Sequence, residues 1–203
     1  MRKRVFDAEE LDATERYKLM SGLIVPRPIG WVGSRGANGV NNLAPFSFFN
    51  MVSGTPPTLL FTTGMTVRVK DSLANVRASG VFTVNVVTEE VAVAMNISSD
   101  SFSPDVDEFV AAGLTAIEGE AVAAPLVAEA KANFECVVTY IHEVGEGPSA
   151  SVVFGEVQRF HVAESLLDGT RIDLASLKAV GRLAGSWYSR TTDLFEMERP
   201  GND

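Results

Sequence analysis

The amino-acid sequence predicts a mainly β, antiparallel barrel carrying a few peripheral helices. Three observations lead to that prediction. Short runs rich in Val, Ile, Phe and Thr recur between turn-forming residues through the first half of the chain. Two longer alternating runs, 134–144 and 152–162, flank the turn sequence Gly145-Glu146-Gly147-Pro148. Helical patterns, by contrast, are short and separated. The chain has 203 residues, 46% hydrophobic and 21% charged, enough apolar material for one sizeable core without disulfide or metal staples.

In chain order, strands are expected at 23–25, 29–32, 58–63 and 81–87. Asn38-Gly39, between Trp31-Val32 and Leu43, has the chemistry of a tight hairpin turn, so hairpins rather than parallel crossovers are expected there. On the run 134–144, Phe134, Cys136, Val138, Tyr140, His142 and Val144 share one face, and Gly155 marks a place for a bulge in 152–162. These two runs form a long antiparallel hairpin. A helix over 72–79 has Leu73, Val76 and Arg77 at helical spacing and stops at Gly80. Thr88 is placed to cap a second over 89–96, with acids in its first turn. A third covers 105–112 and ends at Gly113, and a short one covers 173–178. No repeat or low-complexity linker divides the chain, which reads as one domain over 15–200, between an N-terminal extension (1–14) and a tail (201–203).

Lys and Arg total 17 against 26 Asp and Glu, a net charge of -9, which repels polyphosphate and makes nucleic acid an unexpected partner. One small anion in a local positive pocket remains compatible with that charge. The basic start Met1-Arg2-Lys3-Arg4 is followed by Asp7, Glu9, Glu10 and Asp12 rather than by an apolar segment, so no signal peptide is expected. The lone Cys136 cannot form an intramolecular disulfide and points to a reducing, cytoplasmic setting. From Gly36 to Val67 no residue is charged, yet Asn38, Asn41, Asn42, Pro45, Asn50, Pro56 and Pro57 fall within it. Such a segment is no membrane helix, and no membrane association is expected. It fits a wall of neutral hydrogen-bonding groups around a ligand.

Two stretches could carry chemistry. The helix start at Ser72 follows Lys70-Asp71, and unpaired backbone N–H groups, a positive dipole end and an ammonium together hold phosphate. Ser72 and Asn75 add neutral donors, while Asp71 suits a capping or hydroxyl-accepting role. An ordinary capped surface helix has the same pattern. The stretch 41–50 gathers Phe46, Phe48 and Phe49 with several amides; if extended, Phe46, Phe48 and Asn50 share one face and Ser47 and Phe49 the other. Neutral donors beside aromatic surface suit a flat heteroaromatic ligand with carbonyl and imide edges, although composition alone favours an ordinary core strand with a polar bend.

Further motifs stand in order along the chain. They are Arg27-Pro28-Ile29-Gly30-Trp31-Val32-Gly33-Ser34, Asn42-Leu43-Ala44-Pro45-Phe46-Ser47-Phe48-Phe49-Asn50, Pro56-Pro57, Lys70-Asp71-Ser72 with Asn75, and Phe82-Thr83-Val84-Asn85. Beyond them come Met95-Asn96, Glu108-Phe109, Ala112-Gly113-Leu114, Glu135-Cys136, Gly155-Glu156-Val157, Arg171-Ile172-Asp173 and Gly181-Arg182-Leu183 with Tyr188. This ordered set resembles the flavin reductase-like, FMN-binding split-barrel family, which includes flavoredoxins and the reductase components of two-component monooxygenases. Ser72 stands where Thr is usual in that family and Phe48 where Tyr is frequent, which removes one hydroxyl from the flavin's surroundings.

The resemblance implies FMN, rather than FAD, held in a homodimeric split barrel near the subunit interface. By that likeness Lys70, Asp71, Ser72 and Asn75 hold the ribityl phosphate end. Ser47, Phe48, Phe49 and Asn50, with backbone from Asn42, Leu43 and Ala44, line the isoalloxazine, and Ser34 and Arg182 complete the shell. It further implies hydride transfer from NADH or NADPH to the flavin and on to an acceptor, such as a monooxygenase component acting as redox partner. An FMN-binding electron carrier without direct NAD(P)H activity needs the same pocket. A barrel serving only as an interaction module sits poorly with Lys70, Ser72 and Asn50. The flavin carries the chemistry, so no catalytic side chain is required. A loop over 96–104, rich in Ser, is placed to cover the cleft.

Other candidates fit less well. His142 and His161 could face one another across the long hairpin, but no Cys or carboxylate cluster completes a metal set, and none is expected. Cys136 reads as a packed thiol. Gly33, Gly36 and Gly39 do not make a dinucleotide fingerprint, and no Ser-centred nucleophile elbow is present.

Overall fold

The structure, a computed structural model, describes residues 1–64, 70–145, 150–198 and 200–201. It opens with helix α1 (Ala13–Leu23), closed at its start by a reciprocal pair: Glu15 N–H donates to Asp12 Oδ1 and Asp12 N–H to Glu15 Oε2. The strand expected at 23–25 is instead the end of this helix and the link that follows it, where Leu23, Ile24 and Val25 lie exposed. The capping pair commits the backbone to a helix upstream, and three apolar residues without a pairing partner cannot make a strand.

Four strands follow in hairpin order: β1 (Gly30–Arg35), β2 (Asn41–Phe46), β3 (Phe49–Gly54) and β4 (Pro57–Gly64). The turn between β1 and β2 holds Gly39 at φ 82°, a left-handed conformation that Asn-Gly turns accommodate. Helix α2 (Asp71–Ser79) ends at Gly80 and leads into β5 (Val81–Val86). The expected 89–96 helix begins as a 3₁₀ turn (Glu89–Val91) before α3 (Ala92–Ile97), and Thr88 makes no capping hydrogen bond. The 105–112 helix shortens to α4 (Glu108–Ala111), because the Asp107 carboxylate caps it by accepting from Phe109 N and Val110 N.

Short strands β6 (Ala116–Glu118) and β7 (Pro125–Val127) precede the long pair β8 (Ala132–Val144) and β9 (Ala150–Val162). The turn expected between them falls largely on 146–149, outside the described residues. The chain finishes with β10 (Leu167–Asp168), β11 (Arg171–Ile172), α5 (Leu174–Leu177), β12 (Val180–Arg182) and β13 (Tyr188–Arg190).

Among the described residues seven strands form one antiparallel sheet in the order β2-β1-β5-β8-β9-β4-β3. Its two edges, β2 and β3, are consecutive in the chain, joined only through Ser47 and Phe48, so the sheet must curl to bring them together. The Phe46 ring on β2 meets the Phe61 ring on β4 at 5.0 Å between centroids, and Phe61 meets Phe82 on β5 at 5.2 Å. These rings, with Val32, Val84, Cys136 and Val153, fill the interior, and α2 closes it with Leu73 and Val76. A second cluster outside the barrel packs Trp31, Leu43 and Val127 against Met95 of α3 and Phe109 of α4.

The long hairpin departs from strict alternation. Val138 pairs with Gly155 and Tyr140 with Phe154, which leaves Thr139 as an extra residue. The inward face expected from Phe134 to Val144 therefore stops at Val138 and resumes at Ile141, leaving Tyr140, His142 and Val144 exposed. Gly155, expected to bulge, instead faces the bulge in β8. It is needed for close approach: a Cβ there would lie 2.4 Å from Phe82 Cζ. His142 and His161 do not face each other, since His161 lies opposite Asn133 and His142 opposite Val152, near the other end of the hairpin.

Candidate functional site

The start of α2, β2 and the loop after α3 enclose a cleft of about 350 Å³. Asn42, Ala44, Pro45 and Phe46 form one wall; Lys70, Asp71 and Ser72 form another; the loop from Ser98 to Phe102 and Glu108 form the rest. A second cleft of about 330 Å³ lies between α1, Ser47 and the β12–β13 hairpin, lined by Tyr17, Arg27, Met95, Arg182 and Tyr188 among others. Pro45 and Ser99 line both, so the two clefts meet there. Each is within the size range of small-molecule sites.

The α2 end of the first cleft is built for an anion. Lys70 is the residue before the helix, extended at φ -60° and ψ 138°, and its own side chain makes no capping hydrogen bond. Orphan N–H groups with a lysine beside them are the arrangement that binds phosphate or carboxylate. Lys70 is half-buried and is the cation lining this cleft among the described residues, whereas Asp71, Asp100 and Glu108 line it as acids.

Beneath the cleft lies a buried polar network. Ser72 Oγ and Ser34 Oγ both donate to Asn42 Oδ1, at 2.7 and 3.1 Å, and Asn75 Nδ2 donates to Ser34 Oγ at 3.1 Å. Asn42 Nδ2 in turn donates to Glu108 Oε1 at 2.9 Å, and Leu43 N–H to Glu108 Oε2 at 3.1 Å. Burial holds the Glu108 carboxyl above its ordinary range, helped by the like charge of Asp71 and opposed by its own N–H, Leu43 N–H and the Asn42 amide.

The thirteen site residues named from the sequence fall into distinct places. Asn42, Ala44, Lys70, Asp71 and Ser72 line the first cleft, and Ser47 and Arg182 line the second. Ser34 and Asn75 sit in the network below. Leu43 is fully buried in the outer core cluster, with its N–H taken by Glu108. Phe48 is 42% exposed, its ring 5.8 Å from the Arg27 guanidinium, while Phe49 packs against the barrel interior. Asn50 lies exposed on β3, where its Oδ1 accepts from Met51 N. Arg182 stacks 4.6 Å from the Tyr188 ring centre and hydrogen-bonds both the Tyr188 hydroxyl and Gly185 O. The Ser-rich loop expected to cover the site does line it, from Ser98 to Phe102, and is anchored by Trp31 Nε1 donating to Ser98 Oγ at 2.8 Å.

Two residues had no assigned role in the sequence. Arg27 is buried beside the second cleft and ties three elements together, donating to Ser21 O and Ile24 O at 2.6 Å each and to Leu183 O at 2.8 Å. Glu108 reads in sequence as an acid in the first turn of a helix, which the dipole alone explains. Elsewhere, the Cys136 thiol is buried and pushed up in pKa by that burial and by Glu135, as befits a packed thiol. Among the described residues no group of His, Cys, Asp and Glu is placed to hold a metal, and no helix is long and apolar enough to cross a membrane.

The family model for the flavin reductase like domain matches residues 20–175. A protein of Aquifex aeolicus is 39% identical over 186 residues, covering 90% of this chain and 93% of that one. Among solved structures, nitrilotriacetate monooxygenase component B from Bacillus cereus superposes with a TM-score of 0.94 at 34% identity, covering 97% of this chain and 100% of the other. The 2-nitrobenzoate 2-nitroreductase NbaA of Pseudomonas fluorescens follows with a TM-score of 0.90 at 29% identity, covering 98% of each chain. The curled antiparallel sheet is thus a split β-barrel, and the chain belongs to the flavin reductase like domain family.

Proposed function

We propose that this protein is an FMN-binding oxidoreductase of the flavin reductase type, taking a hydride from NADH or NADPH and passing electrons to an acceptor. The observation that supports it most is the Lys70-flanked start of α2 opening into a cleft whose far wall carries Asn42, Pro45 and Phe46, with serine hydroxyls along the loop from Ser98 to Ser101. Those groups fit a flavin: an anion site for its phosphate, and neutral donors beside aromatic surface for its ring. Bound flavin would supply hydride acceptance at N5.

The chain's own part is to bind and shield. Lys70 and the first-turn N–H groups hold the phosphate, with Asp71, Ser72 and Asn75 around it. Asn42, Ala44 and Ser47 line the space for the ring, with Leu43, Phe48, Phe49 and Asn50 on the same stretch of chain behind and beside it; Ser34 supports Asn42 from below, and Arg182 lies along the adjoining cleft. The loop from Ser98 to Phe102 keeps water from the ring's side of the cleft, and the second cleft gives a nicotinamide room to approach. FMN is proposed over FAD in line with the family resemblance of the sequence, and the start of α2 offers a place for its single phosphate.

The acceptor is proposed to be a partner monooxygenase component, in line with the Bacillus cereus relative's description as a component B. A homodimer is also proposed, over a single domain spanning 15–200, in the cytoplasm. It is supported by α1, where Tyr17, Met20, Leu23 and Ile24 are 60%, 61%, 78% and 57% exposed, an apolar surface that a second copy would cover.

The test is an absorbance spectrum of the purified protein loaded with FMN or FAD, followed by anaerobic NADH and then NADPH. Rapid bleaching of the flavin bands supports the reductase and names its donor. Bands that persist with both, yet bleach with a partner reductase, make it an electron carrier. Failure to take up either flavin contradicts the proposal.

A further inference from the structure

The buried carboxylate on α4 has no part in the scheme above, yet its contacts reach the start of α2. Glu108 is 6% exposed, and its partners are neutral donors on β2: Asn42 Nδ2 and Leu43 N. An ionised carboxylate only accepts, so it fixes which end of the Asn42 amide faces it. The nitrogen turns to Glu108, which leaves Oδ1 as the shared acceptor for the hydroxyls of Ser34 and Ser72. Ser72 is the second residue of α2, and Asn75 on the next turn joins the same cluster through Ser34. The helix start is thereby pinned to the sheet at two points, Ser72 to Asn42 and Asn75 to Ser34, and that pinning sets where its N–H groups aim.

We propose that Glu108 is a positioning residue for the anion end of the cleft: by orienting the Asn42 amide it locks Ser72, and with it Lys70 and the first-turn N–H groups of α2, against β2. This rests on the reading of that end as the flavin phosphate site. The relay joins α4 and α2 through the β1–β2 hairpin, and every link is a hydrogen bond of 2.7–3.1 Å between buried or half-buried groups.

The test compares FMN with riboflavin, which differ by the phosphate alone. In Glu108→Gln an N–H group replaces one acceptor and opposes either Asn42 Nδ2 or Leu43 N. Turning the Asn42 amide relieves the clash but sends Nδ2 toward Ser34 and Ser72, undoing the lock. The ratio of FMN to riboflavin affinity is expected to fall about tenfold, the worth of one charge-assisted phosphate contact. In the flavin-free protein the Asn42 side-chain amide resonances are expected to shift as the group turns. A ratio equal to the wild type's overturns the proposal, whether both affinities drop together or neither does, because a loosened fold weakens both ligands alike. If Glu108→Gln does not melt cooperatively, Ser72→Ala breaks the same relay from its other end, and there too an unchanged ratio overturns it. Wild-type protein that binds both flavins equally contradicts the phosphate site itself. Wild-type protein that binds neither contradicts the flavin reading, and either result removes the proposal before any variant is measured.

Discussion

Replacing Lys70 by Ala tests the anion site most sharply. Lys70 precedes α2 and is the cation lining the first cleft among the described residues, facing Asp71, Asp100 and Glu108. Without it a phosphate keeps the first-turn N–H groups and the neutral side chains around them but loses this ammonium, in a cleft that Asp71, Asp100 and Glu108 also line. A charge-assisted hydrogen bond from an ammonium to phosphate contributes roughly 1.5–3 kcal/mol, so FMN affinity should fall about 10- to 150-fold. Half-burial limits screening, yet the difference should still narrow in high salt. Quenching of FMN fluorescence on titration with protein measures the affinity directly. Riboflavin, lacking the phosphate, is the control and should change by less than about twofold. Equal FMN affinity in wild type and variant would place the phosphate away from Lys70.

Three further outcomes are expected. Gly155→Ala forces a methyl to within 2.4 Å of Phe82 Cζ inside the barrel, and overpacking of that kind costs about 1–3 kcal/mol, or roughly 2–12 °C in Tm by calorimetry; an unchanged Tm would show that Phe82 can move aside. Glu135 is fully buried, and although burial raises its pKa, His161 and the N–H groups of Ala121, Val122 and Glu120 outweigh that and hold it below its ordinary value. A depressed folded pKa means that its stabilisation is present above the unfolded value and is lost as pH falls through the folded one, so urea melts should show the advantage of wild type over Glu135→Gln shrinking on acidification below about pH 4.5. A constant difference down to pH 3 would contradict this. Arg27→Ala removes a guanidinium that binds carbonyls at the end of α1 and at Leu183, and limited proteolysis should then cut near 21–26 or 183–187 faster than in wild type; equal cleavage rates would show the tie is dispensable.

Much of the barrel was legible because its signals are local. Asn38-Gly39 specifies a turn by its own chemistry, and the two long runs carry an alternation that only a strand pair satisfies. Asp12 and Glu15 also spell a helix start, but the aliphatic run at Leu23-Ile24-Val25 reads as a strand unless that capping pair is given priority. The bulge at Thr139 has no such mark: which residue is extra is decided by pairing with Phe154 and Gly155 across the hairpin. The site divides in the same way. Lys70-Asp71-Ser72 at a helix start shows its chemistry in three consecutive residues. That Ser72 shares an acceptor on Asn42, 30 residues back, with Ser34, or that Glu108 turns that amide from 66 residues away, is visible only in three dimensions.

The most direct measurement is a crystal structure of the protein soaked with FMN. The phosphate is expected at the start of α2, within hydrogen-bond reach of Lys70 Nζ and of first-turn N–H groups, with the ring running past Pro45 toward the second cleft. FMN density with its phosphate anywhere else would contradict the anion site proposed there, however well the protein catalyses flavin reduction.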